Sequence, residues 1–203
     1  MTWIVAAGSN SLVIGIAVGV VMGLLLRKRF SSFVKREGRP HALLVAGLIA
    51  ATGLLYSVVH EYGHKLVAVM LGGEVTSVSW TAFSGRPHVV YGYMPEGSRP
   101  WAAAGGIVVP VLLAYLLVGA RWTLGRWLPR WAKTLLAVPA GTILLISCGA
   151  VVPIFTGRGH MASLAAHYGW GETGRVGLQL GMAGVSLLGL AALYFGARRR
   201  RVR

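Results

Sequence analysis

The sequence predicts an all-α polytopic membrane protein with about five transmembrane helices and a short β-hairpin between the second and third. Three observations lead there. Of 203 residues, 55% are hydrophobic and 12% charged, about half the charged share of a soluble domain. The apolar residues come in blocks as long as the ~20 residues a helix needs to cross the hydrocarbon. The basic residues gather at the ends of those blocks, where a membrane protein places them to set its topology. The whole chain, 1–203, reads as a single membrane-embedded domain.

The spans fall at about 3–26, 42–71, 101–120, 134–155 and 176–196. The first begins at Trp3 with no basic residue ahead of it and Arg27, Lys28 and Arg29 behind it. That order predicts a retained helix rather than a cleaved signal. Gly15, Gly19 and Gly23 in the first span, and Gly177 and Gly181 in the last, mark seams where helix backbones pack closely. Between the second and third spans, residues 74–95 hold two β-rich runs. Val75, Val78, Trp80 and Phe83 precede, and Val89, Val90, Tyr91 and Tyr93 follow, the turn signal Ser84-Gly85-Arg86-Pro87. An irregular surface loop is the alternative there.

With five spans, the first and third connections and the C-terminal tail share one side. That side carries 15 basic residues, against 4 on the other. The positive-inside rule then puts the N-terminus outside and the C-terminus in the cytoplasm. The same placement explains the net charge of +15 without a nucleic-acid partner, because the charge is not gathered into a patch on one face. The single cysteine, Cys148, reads as a small buried residue.

The chemistry lies in the second span. His60-Glu61-Tyr62-Gly63-His64 is H-E-x-x-H on a helix. Residues four apart share a face, so both imidazoles can reach one zinc ion, and the intervening Glu61 can serve as general base on a water. Two histidines and a glutamate inside a bilayer span are costly unless they are paired or functional. A polar cluster that only joins neighbouring helices is the plainer alternative. His60 lies 18 residues past Ala42, about 27 Å along the helix. The site is therefore expected in the outer half of the membrane, near the hairpin.

In this order of motifs the chain resembles the site-2 protease family of intramembrane zinc metalloproteases. His60-Glu61-Tyr62-Gly63-His64 is similar to that family's first motif. Gly72-Gly73-Glu74-Val75 and the β-rich stretch after it resemble the segment that follows it. Ala103-Ala104-Gly105-Gly106-Ile107-Val108-Val109-Pro110 resembles the small-residue opening of the next helix. The resemblance covers about 43–167. It implies a zinc endopeptidase, Glu61 as the catalytic residue, and a transmembrane protein as substrate. It also implies residence in a cell membrane, here taken as prokaryotic.

The resemblance further implies a third zinc ligand, an Asp in an Asn-Pro…Asp-Gly segment of a later helix. This chain has no Asp, and its only Asn is Asn10. The corresponding place is Val152-Pro153-Ile154-Phe155-Thr156-Gly157-Arg158-Gly159-His160, where the Asp would fall at Gly157 or Arg158. His160 is the first choice to replace it, since it sits beside that position and imidazole is a common zinc ligand. Glu172 and His167 follow. His88 and His41 read as surface residues. Three rival readings stay open: an inactive pseudoprotease of the same fold, a metalloprotease class using a downstream Glu as ligand, and a transporter or structural membrane protein. The sequence does not specify oligomeric state.

Overall fold

The computed structural model describes residues 32, 35–36, 38–79, 88–149 and 160–198. The expected first span, the turn at 80–87, the segment 150–159 and the end of the basic tail lie outside the described residues. Among those described are five helices and two strands. They are α1 (Arg39–Met70), β1 (Val75–Ser79), β2 (His88–Tyr91), α2 (Arg99–Leu124), α3 (Arg130–Cys148), α4 (His160–His167) and α5 (Gly171–Arg198). The chain divides into two compact units, 1–46 and 47–203. The first contributes the opening turns of α1, where the Ala42 amide donates to the Gly38 carbonyl at 3.2 Å.

Helices α1, α2, α3 and α5 are each long and apolar enough to cross a bilayer, so four of the expected spans have helical counterparts. Their bounds differ from expectation. The third span is longer at both ends, the fourth starts at Arg130, and the fifth starts at Gly171. In each case polar or charged residues continue a helix beyond the apolar block, which hydropathy alone does not register. Helix α4, eight residues long, was not expected as an element because it is too short to show as a span.

The bundle is built around α2, half of whose most apolar window is buried, against 11% for α1. Val111, Ala114 and Val118 of α2 meet Ala140, Ile143 and Leu144 of α3, with Met182, Leu190 and Leu193 of α5 packed alongside. One turn nearer the N-terminus of α2, Ala104 and Ile107 pack on Met161 and Leu164 of α4. The Tyr115 hydroxyl donates to the Val185 carbonyl at 2.6 Å, tying α2 to α5. The outward faces are apolar as well: Leu54, Leu116, Leu145 and Leu188 are all exposed. Helices apolar on both faces are suited to lipid rather than water. On α2 the exposed Trp101 and Trp122 stand 21 residues apart, about 32 Å, which matches the bilayer hydrocarbon and its aromatic margins.

Helix α1 ends in a Schellman motif. Gly72 takes φ +80°, the Gly73 amide donates to the Ala68 carbonyl at 2.8 Å, and the Gly72 amide donates to the Val69 carbonyl at 3.0 Å. This stop turns the chain into the antiparallel pair β1–β2. The register is Val75↔Tyr91, Ser77↔Val90, Val78↔Val89 and Ser79↔His88, with an irregularity between Val75 and Ser77. The expected hairpin is thus present as its two strands. Helix α4 ends in the same way, with Gly169 at φ +66° and the Trp170 amide donating to the Ala165 carbonyl at 3.0 Å.

Candidate metal centre

Most of α1 faces outward, yet Glu61, Gly63, His64 and Ala68 are buried. Glu61, His64 and Ala68 follow the i, i+3, i+7 spacing of one helix face. The face is made possible by glycine. A Cβ on Gly63 would lie 2.6 Å from the Gly105 carbonyl oxygen, and a Cβ on Gly105 would lie 2.6 Å from the Gly63 carbonyl oxygen. The backbones of α1 and α2 therefore touch at this crossing, as small residues permit in membrane helices. Pro110, four residues after Gly106, has no N–H to return to the Gly106 carbonyl, so the helical ladder of α2 is interrupted one turn beyond the glycine pair.

His60 and His64 sit one turn apart with ring centroids 4.8 Å apart and planes at 89°. Their Nε2 atoms are 3.3 Å from each other. The His64 Nδ1 donates to the Ala102 carbonyl at 2.8 Å. That bond places the ring proton on Nδ1 and leaves the lone pair on Nε2, the arrangement of a histidine that ligates through Nε2. The ligand atoms of His60, Glu61 and His64 all lie within 4.8 Å of one another. The expected first motif is therefore assembled as a cluster that could hold a metal ion. Ala102, which holds the cluster to α2, is the residue after the exposed Trp101.

The donor set suits zinc. Two nitrogens bound at about 2.0–2.1 Å to one tetrahedral ion stand roughly 3.3–3.4 Å apart, the separation found here. The same separation would also suit an N–H···N bond between two neutral rings, which is what a purely structural cluster would make.

The hairpin reaches toward this cluster. Burial, and then the charge of Glu61, hold the Tyr91 phenol above its ordinary value. His88 is exposed, as expected of a surface residue. The sequence places Tyr91 only in a strand. No spacing rule links a hairpin residue to a helix some 30 positions earlier.

The three candidates for a third ligand have different surroundings. The His160 backbone opens α4, beside Met161, which packs on Ala104 and Ile107 of the α2 segment that holds His64. The side chain of His160 lies outside the described residues. His167 is exposed, 3.2 Å from where a Cβ on Gly97 would stand and edge-on to the Tyr168 ring. Glu172 is exposed and ion-paired with Arg175, whose Nε donates at 3.0 Å and which also bonds Gln179. Among the described residues, neither His167 nor Glu172 joins the His60–Glu61–His64 group.

No family model, curated protein or solved structure matches the chain.

Proposed function

We propose that this integral membrane protein is an intramembrane zinc metalloprotease that hydrolyses a peptide bond in or near a transmembrane segment of a substrate protein. The observation that carries the reading is the 3.3 Å separation of the His60 and His64 Nε2 atoms, with the Glu61 carboxylate beside them. His60 and His64 would hold the ion, and His160, on the segment packed against the same stretch of α2, is the proposed third ligand. A bound zinc ion supplies Lewis acidity toward a carbonyl and acidifies a coordinated water.

The rest is the work of the chain. Glu61 takes a proton from the attacking water and passes it to the leaving amine. Its position in a buried crossing keeps bulk water from competing. A helical substrate has its carbonyls tied up in backbone bonds and must be locally unwound to react. The β1–β2 pair, next to the centre in the chain and in electrostatic reach of it, supports strand addition as the means of holding the unwound stretch. By the charge bias of the loops, the N-terminus lies outside, the C-terminus lies in the cytoplasm, and the centre opens to the outer leaflet.

The test is the Glu61→Gln variant in membranes or detergent, against a library of single-span substrates that the wild type cuts. It is expected to abolish cleavage while zinc content stays at the wild-type level. Retained cleavage would remove Glu61 from its role.

A second reading, an inactive pseudoprotease that acts as a binding or regulatory protein, is favoured by one observation. The chain contains no Asp to supply the family's third ligand. A purified protein without zinc would favour it.

A further inference from the structure

The H-E-x-x-H helix does not orient its own second histidine; a short stretch of the next helix does. The His64 ring lies in a slot on α2. At one end the Ala102 carbonyl accepts from Nδ1 at 2.8 Å. One turn on, Gly106 leaves room for the ring. A Cβ there would stand 2.9 Å from Cδ2 and closer still to Cε1 and Nε2. Real Cβ atoms do not approach so closely, so any larger residue at 106 must displace the ring. Gly106 is buried, and the atoms it would strike belong to a ring whose own position is fixed by the Ala102 bond and by the crossing at Gly63 and Gly105. The ring cannot simply swing away.

We infer that Ala102 and Gly106 form a cradle that sets both the tautomer and the direction of His64, making Gly106 a positioning residue for the metal centre. The two contacts have separate effects. The Ala102 carbonyl selects the Nδ1–H tautomer and so keeps the lone pair on Nε2. Gly106 leaves the face of the ring over Nε2 and Cε1 free, since a methyl group there would push the ring, and with it the Nε2 lone pair, out of its direction. The inference rests on the zinc reading for its metal consequence, but not for the tautomer. Outer-shell partners of ligating histidines are worth about 10–100-fold in metal affinity, and Gly106→Ala is expected to weaken binding by about that factor.

The test uses the full chain purified in detergent, stripped with chelator and titrated with zinc. Gly106→Ala is compared with Gly119→Ala, on the same helix, where an added Cβ would meet nothing within 4 Å. The expected result is a ~10–100-fold loss of zinc affinity in the first and wild-type affinity in the second. Equal affinity of Gly106→Ala and wild type overturns the cradle. Because Gly106→Ala could also fail to fold, a measurement on the unaltered chain accompanies it: ¹⁵N NMR of the histidine rings in metal-free protein, with His64 assigned by the signal lost in His64→Gln. His64 is expected to show a protonated Nδ1 and a bare Nε2. An Nε2–H tautomer overturns the inference. A wild-type chain that binds no zinc but shows the expected tautomer would sink the protease reading and leave the cradle standing.

Discussion

The Nε2 atoms of His60 and His64 face each other at 3.3 Å across one turn of α1. Two imidazoles alone make a weak centre, so the source of a third donor decides how the site works. Glu172 is engaged with Arg175, and His167 sits edge-on to Tyr168. Replacing either by alanine should leave zinc content within error of wild type. His160→Ala should release the ion, with an affinity loss greater than the ~10–100-fold typical of an outer-shell change. Metal analysis after gel filtration reads all three. Loss of zinc in Glu172→Ala would instead assign the ligand to α5.

The glycine crossing should be a point of stability as well as geometry. In Gly63→Ala the new Cβ would stand 2.6 Å from the Gly105 carbonyl oxygen and 3.1 Å from the Val109 Cβ. Both neighbours belong to a packed helix, so overpacking of about 1–3 kcal/mol is expected. Thermal unfolding in detergent should show a lowered midpoint for Gly63→Ala and little change for Gly119→Ala. An unchanged Gly63→Ala would mean that the two backbones do not touch there.

Part of this arrangement is legible in the sequence, for definite reasons. Span length and loop charge are set by the bilayer itself, so the four described membrane helices could be located from composition. The His60–His64 pairing follows from helix geometry alone. The slot for His64 does not. Ala102 and Gly106 are 38 and 42 positions further on, and a run of small residues reads only as a packing seam until the ring that fills it is seen. The same holds for Tyr91, whose nearness to Glu61 depends on the Schellman stop at Gly72 redirecting the chain. Helix α4, eight residues long, buries Met161, Leu164 and Ala165 but is too short to stand out beside blocks of span length.

Tyr91 links the hairpin electrostatically to Glu61. Burial and the Glu61 charge both favour its protonated form. Its phenol should therefore ionise at higher pH than a free tyrosine. Since the folded value is raised, the stability it contributes is present below the ordinary phenol range and is lost as pH climbs through the folded value. Difference absorbance of wild type against Tyr91→Phe, in metal-free protein, should show the late titration. Glu61→Gln should bring it back partway. A Tyr91 titration indifferent to Glu61→Gln would separate the hairpin from the centre.

The most direct test of a metal held between these helices is X-ray absorption at the zinc edge on the full-length protein, purified without added chelator. One zinc per chain is expected, with a first shell containing at least two imidazole nitrogens at about 2.0–2.1 Å and with the signal lost in His64→Ala. A protein that carries no zinc after zinc is supplied, or whose zinc shell is unchanged in His64→Ala, would contradict the account.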